Sequence, residues 1–240
     1  MIEKGTQMTR YSSIFSAALY KRLGEYALFR DIAPSDLEAI FVCAGARVEK
    51  YAKNTFVILD KDAVCYACII LEGRVAIIKE DEQGHQSFIT CLREGEVFGE
   101  TFSLSRDNTS TVSYKTMAKS VLIFLPASKI LNVCQNNCPF HKQLIVNMFD
   151  CVANKNVALM RKIDIISRNT IREKILTYLG EELVLANQAA GTPDNRRISI
   201  PFNKTEMAQY LCVNRSALVR ELSAMKQEGL IEVKGHTFTL

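Results

Sequence analysis

From about Ala46 to Pro126 the chain alternates short apolar runs, FVIL, YACIILEGRVAII, SFITCL, TSTVSY and SVLIFLP, with polar turns such as DEQGH and SRDN. That spacing predicts the strands of an all-β sandwich or barrel. Before it, SIFSAALYKRLGEYALF and PSDLEAIFVCA have helical periodicity, with Pro34 at a first-turn position and Ser35 and Asp36 favouring the helix start. From Pro139 to about Arg168 the period changes. Ile145, Phe149, Val152, Asn156, Leu159, Ile163 and Ile166 recur at steps of four and three, a heptad seam on a helix of roughly 40 Å. A helix that long predicts a dimerisation stalk, and Asn156, its polar seam position, fixes the register.

A second helix is expected at about Asn169 to Leu185, then a loop from Asn187 to Asn195 and a strand in RRISIPF. The remainder divides into a short helix KTEMAQYL, a turn CVN, a longer helix RSALVRELSAMKQEGL and two strands, IEVK and TFTL, around Gly235. This order is a helix-turn-helix followed by a β wing. On a wheel of about 100° per residue, Arg215, Ser216, Val219, Arg220, Ser223, Lys226 and Gln227 share one face, and Leu218, Leu222 and Met225 the opposite one. Met207 and Leu211 join that core, which leaves Asn203 and Lys204 at a helix start whose N–H groups suit a phosphate. Arginine at the start of such a helix can donate two parallel hydrogen bonds to guanine, and Val219 can meet a thymine methyl. Two arginines on a helix are also compatible with a solvated face; the tandem helices and the wing favour DNA.

Composition narrows the class. The 240 residues are 48% hydrophobic and 23% charged, those of a soluble globular protein of two domains, and a net charge of +4 leaves room for a local basic face. No membrane-length apolar run exists and MIEKGTQMTRYSS has no apolar stretch behind its basic residues, so a cytoplasmic protein is expected. The eight cysteines sit mostly in apolar segments and read as reduced core thiols. In CYAC, Cys65 and Cys68 are three apart on a strand and face opposite ways, which argues against a shared metal. Cys134 and Cys138 are the better redox candidates, although cysteines at helical spacing more often serve packing. His85, His141 and His236 are scattered, so no metal site, haem, iron–sulfur cluster or catalytic set is predicted, and the chain reads as a non-enzyme.

The chain resembles a bacterial transcription regulator of the cyclic-AMP receptor protein / fumarate-nitrate regulator (CRP/FNR) family. ILEGRVAIIKEDEQGHQ resembles the family's central hairpin, GEVFGETFSL its phosphate-binding cassette, and MAQYLCVNRSALVRELSAMKQEGLI its winged helix-turn-helix. The resemblance implies an α+β protein: a cyclic-nucleotide-binding-type β-roll (double-stranded β-helix or jelly roll) in residues 1–138, a dimerisation helix in 139–168 and a winged helix-turn-helix in 169–240. It implies a homodimer on double-stranded DNA with a pseudo-palindromic operator, and RNA polymerase as a further partner. Arg215 and Arg220 match the family's base-contacting arginines, with Ser216 where many members have glutamate; a different operator follows, because glutamate accepts from cytosine N4 and serine is nearly indifferent. Asn203, Lys204, Asn214, Lys234 and His236 match backbone-contact positions, and Cys212 replaces the common turn glycine, which implies a slightly altered turn.

For the effector pocket the resemblance implies Phe98, Gly99, Glu100, Ser110, Thr111 and Asn156. Nucleotide-binding members place an arginine about ten residues beyond the cassette; here Ser110 and Thr111 stand there. Without that bidentate cation a cyclic nucleotide is disfavoured and the effector is an unknown small molecule. Asn156 suits either effector contact or register. Two further readings stay open: a ligand-binding module acting through protein contacts, and a redox or metal-sensing regulator.

Overall fold

The computed structural model describes residues 17–81, 83, 86–131, 139–192 and 195–240. His85, Cys134 and Cys138 fall outside them. Helices α1 (Ala17–Leu23) and α2 (Pro34–Ala44) come first. Strands β1 (Arg47–Tyr51), β2 (Phe56–Ile58), β3 (Tyr66–Glu72), β4 (Val75–Glu80), β5 (Gln86–Leu92) and β6 (Val97–Phe98) follow. Helix α3 (Glu100–Ser103) then precedes β7 (Ser113–Thr116), β8 (Ser120–Pro126) and α4 (Ala127–Leu131).

A strand covered on one face alternates apolar with polar, whereas one covered on both is apolar throughout. Strand β3 is of the second kind. Ala67, Ile69 and Leu71 enter a core with Leu37, Ile40 and Phe41 of α2, and Cys68 and Ile70 enter another with Phe98, Tyr114 and Leu92. Its partner β8 divides the same way, Ile123 and Leu125 to the helices, Leu122 and Phe124 to the roll interior. The sheets β1-β8-β3-β6 and β2-β7-β4-β5 enclose that interior, antiparallel at every pairing. Cys65, which stands just before β3, is exposed, and Cys68 within the strand is buried.

The first helix is shorter than the periodicity suggests. It ends at Leu23, and a 3-10 turn, Ala27–Phe29, carries Leu28 and Phe29 into the core. Gly24 stands at the break, where its conformational freedom costs a helix about 1 kcal/mol.

Helix α5 (Pro139–Ile166) is 28 residues long, about 42 Å at 1.5 Å per residue. His141, Leu144, Met148 and Cys151 form a buried stripe, and Leu144, Met148 and Cys151 belong to the core of α2 and β3. Buried Asn147 fastens the helix to the segment before α2, donating to the carbonyls of Leu28 (3.0 Å) and Arg30 (2.7 Å) while its own carbonyl takes the Gln143 amide (3.0 Å).

The chain divides into two compact units, Met1–Lys155 and Asn156–Leu240. The second contains α6 (Ile171–Ala190), β9 (Arg197–Ser199), α7 (Lys204–Tyr210), α8 (Arg215–Gln227), β10 (Glu232–Lys234) and β11 (Thr237–Thr239). Helix α6 continues past Leu185 through ANQAA, residues compatible with a helix, and stops at Gly191 in the left-handed conformation (φ 64°). Thr170 caps its start in a capping box with Glu173. The wing is a sheet of order β10-β11-β9.

Candidate functional site

Helix α7 is set at both ends by its own sequence. The Asn203 carbonyl oxygen accepts the N–H groups of Thr205 and Glu206, both at 2.9 Å, and the Glu206 carboxylate accepts the Asn203 N–H at 2.9 Å. At the other end the N–H of Val213 reaches the carbonyl of Ala208 (2.9 Å) and that of Cys212 the carbonyl of Gln209 (3.2 Å), a Schellman turn. Cys212 takes the left-handed position of that turn, φ 53°. Backbone hydrogen bonds hold the cysteine in the conformation that glycine adopts more readily.

Asn214 then caps α8, accepting the Ser216 N–H at 2.9 Å. Leu218, Leu222 and Met225 are buried, as are Met207 of α7 and Leu211, which caps its end. Tyr178, Phe202 and Tyr210 form an aromatic triangle with centroids 5.0–6.1 Å apart. From α6, Arg172 clamps the same helix: Nε donates to Glu221 at 2.6 Å and the two terminal nitrogens to the Glu228 carboxylate at 2.8 Å each. The hydrogen bonds from Arg172 hold the Glu228 carboxyl below the usual range. With both acidic side chains engaged by Arg172, the outer face of α8 carries exposed Arg215, Ser216, Arg220, Ser223, Lys226 and Gln227, with Val219 half-buried among them. Neither Arg215 nor Arg220 forms an ion pair among the described residues.

Three local contacts refine the expected roles. The Ser216 hydroxyl donates to the Asn214 carbonyl oxygen at 2.6 Å, so its proton is committed to the cap and it faces outward as an acceptor. The carbonyl oxygens of Asn203 and Asn214 are likewise used by the caps, which leaves their amide NH₂ groups for an anion. His236 Nδ1 lies 2.9 Å from the Phe202 carbonyl oxygen, and Lys204 and Lys234 are exposed. Lys162, near the end of α5, places its ammonium 4.3 Å from the Tyr210 ring centroid, and burial lowers its affinity for the proton.

In the β-roll, Gly99 has φ 80° and a Cβ there would lie 2.8 Å from the Tyr66 carbonyl oxygen, so the turn into α3 needs glycine. Phe98 stacks on Tyr114 at 4.9 Å, and burial raises the tyrosine's pKa. Glu100, 1% exposed, accepts the Lys155 ammonium on Oε1 at 2.5 Å and the Thr101 hydroxyl at 3.1 Å; its Oε2 is buried without a hydrogen-bond partner among the described residues. Lys155 also donates to the Val97 carbonyl at 2.5 Å. Sequence reasoning named Asn156, which is exposed, and missed its neighbour. The missed signal was periodic: Lys155 continues the buried stripe of His141, Leu144, Met148 and Cys151 by one more step of four.

Ser110 is buried but serves the backbone, its hydroxyl donating to the Val112 carbonyl at 2.6 Å. Exposed Thr111 offers its carbonyl to the Lys79 ammonium, 2.5 Å away. On α5 the heptad seam is open: Phe149, Val152, Leu159 and Ile163 are 70%, 38%, 51% and 54% exposed, Asn156 is exposed, and Ile145 and Ile166 are half-buried. Among the described residues no group of three or more His, Cys, Asp or Glu side chains could hold a metal ion, and no helix is long and apolar enough to cross a membrane.

Two family models match separate stretches of the chain. The family model of the cyclic nucleotide-binding domain matches residues 48–137, and that of the Crp-like helix-turn-helix domain matches residues 173–240. The chain is 21% identical over 195 residues to the transcriptional activator protein FnrL of Cereibacter sphaeroides, covering 77% of this chain and 72% of the relative. It is 21% identical over 199 residues to the cAMP-activated global transcriptional regulator CRP of Pasteurella multocida, covering 80% and 89%. The fold is shared with FixK2 from Bradyrhizobium japonicum (TM-score 0.61, 15% identity, 81% of this chain and 92% of that one). It is shared equally with the c-di-GMP responsive global regulator CLP of Xanthomonas campestris (TM-score 0.62, 15% identity, 86% and 98%).

Proposed function

Because the chain belongs to the CRP/FNR family of transcription regulators, we propose that it acts as a homodimer that reads a pseudo-palindromic DNA operator with α8. The observation that carries this reading is the construction of that helix. Its inner face is buried, its acidic Glu221 and the C-cap Glu228 are held by Arg172, and Arg215 and Arg220 stand exposed on the remaining face. Arg215 and Arg220 donate to guanine edges, Val219 meets a thymine methyl, and Ser216, as an acceptor, takes a donor from a base edge. Asn203, Lys204, Asn214, Lys234 and His236 engage phosphates, fixing register without reading sequence.

The open seam of α5 supports the dimer. Four large apolar side chains at heptad spacing, each more than a third exposed in one chain, call for a second copy whose seam is identical. Dimerisation sets two recognition helices about 34 Å apart, one turn of the duplex. A small molecule that prefers one arrangement of the β-roll shifts the population able to bind DNA, and RNA polymerase is the partner on which such a regulator acts in the cytoplasm. The relatives named as cAMP-activated do not extend that effector to this chain, because Ser110 and Thr111 supply no cation where the family's nucleotide binders have one.

Selection of bound duplexes from a random pool, with and without cyclic AMP, tests the reading. A palindromic consensus with half-sites one turn apart is expected in both arms. Recovery of no consensus, with no salt-dependent duplex affinity, overturns it in favour of a module acting through protein contacts.

A further inference from the structure

The end of α5 belongs to the compact unit Asn156–Leu240, and it carries two different faces. Leu159 and Ile163, on the seam, are exposed. Roughly 100° around the helix, Ile165 is buried and Lys162 half-buried. Ile165 is an apolar anchor, and apolar burial has no direction. Lys162 adds a contact that has one, its ammonium standing 4.3 Å from the Tyr210 ring centroid. Burial disfavours the charged form of Lys162, and the ring face offsets part of the lost hydration.

Tyr210 is the last residue of α7. Its ring is held by Tyr178 of α6 at 5.3 Å and by Phe202 at 5.0 Å, so the cation covers a fixed target. The chain then makes the turn in which the N–H groups of Cys212 and Val213 close on Gln209 and Ala208, and Asn214 caps α8. One hydrogen-bonded turn thus separates the ring under Lys162 from Arg215. Leu159 to Ile165 span about 9 Å of helix at 1.5 Å per residue. The seam that would pair two chains and the contact that seats the helix-turn-helix are built on the same short length of α5.

We propose that Lys162 is a positioning residue for DNA reading: through Tyr210 it fixes α7 and α8 against the end of α5, and so sets the half-site spacing that the dimer accepts. It acts through the ring and touches no base. The inference rests on the reading that the chain binds DNA as a dimer through α8.

The test uses the full chain and three kinds of duplex: the operator recovered by selection, the same operator with its half-sites one base pair closer or farther apart, and a single half-site. One base pair turns the half-sites by about 35° relative to each other. The wild type should prefer the recovered spacing. In Lys162→Met and Tyr210→Leu that preference should shrink about three- to tenfold, the range a partly buried cation–π contact supports. Affinity for the single half-site should stay within about twofold of wild type. Lys162→Arg, whose guanidinium also stacks on an aromatic face, and Tyr210→Phe, which keeps the ring, should retain the preference. The double variant Lys162→Met/Tyr210→Leu should be no worse than the worse single one, since both remove the same contact. Lys162→Gln, which loses the charge, serves if Lys162→Met does not fold.

A wild-type spacing preference in Lys162→Met overturns the proposal. So does a single-half-site affinity that falls as far as the preference, which makes Lys162 a structural prop of the winged helix. Absence of salt-dependent duplex affinity in the wild type is a different failure, that of the DNA-binding reading, and takes this inference with it.

Discussion

Arg215 stands at the first position of α8, a helix with no acidic residue in its first turn. A cation there opposes the helix dipole and costs about 0.3–1 kcal/mol. Since Arg215 is exposed and has no ion pair among the described residues, its removal takes nothing from the core. Arg215→Ala should therefore stabilise the fold while it damages function. For a unit the size of Asn156–Leu240, the gain corresponds to a Tm rise of about 2–6 °C. Loss of a bidentate guanine contact removes about 1–3 kcal/mol of discrimination, roughly 5- to 150-fold at one base pair of each half-site. Fluorescence anisotropy against the operator and its single-base variants measures the second effect, and thermal denaturation the first. Arg215→Lys separates the two roles of the side chain: it keeps the charge and loses the fork, so the salt slope holds while the base preference falls. Unchanged affinity of Arg215→Ala for the wild-type operator would refute the base contact. A Tm lower by several degrees would refute the claim that the residue is structurally idle.

Three other outcomes follow from the same geometry. Phe149→Glu should turn the dimer into a monomer at micromolar concentration by sedimentation, since two seam phenylalanines contribute about 3–6 kcal/mol between them; a dimer of unchanged affinity would move the interface off α5. Cys212→Gly should raise the unfolding free energy by about 0.5–1 kcal/mol, read as a higher denaturation midpoint, the left-handed conformation costing an L-residue about 1–2 kcal/mol against the smaller entropy that glycine adds to the unfolded chain. The Glu228 carboxyl is depressed by Arg172, so its contribution is fully present above the ordinary carboxylate value of 4.5 and is lost as pH falls through the lowered one. The Tm of the winged-helix unit should thus decline on acidification below about 4.5, and less steeply in Arg172→Met.

Much of this was legible in the residues because it is local. The caps Asn203 and Asn214 precede their helices by one position, and Leu218, Leu222 and Met225 obey a period that a wheel displays. The apolar run of β3 was read as a strand, and the structure packs it against α2 on one side and the roll interior on the other. Where a helix end depended on weak preferences, as at ANQAA, the boundary moved.

The chain's pattern by itself determined a β unit, a long seamed helix and a winged helix-turn-helix, since periodicity and capping act over a few residues and are written in them. Only the tertiary structure decided how the charges are spent. Arg172 could have been one more surface cation, yet it meets Glu221 and Glu228 across 49 and 56 residues and so reserves α8 for Arg215 and Arg220. Lys155 lies one residue from the seam's Asn156, and a rotation of about 100° between neighbours on a helix is all that separates an open seam from the carboxylate of Glu100. Such pairings join side chains distant in sequence through a packed fold: a local period can put Lys155 on the buried stripe of its helix, but it does not name the partner that Lys155 meets there.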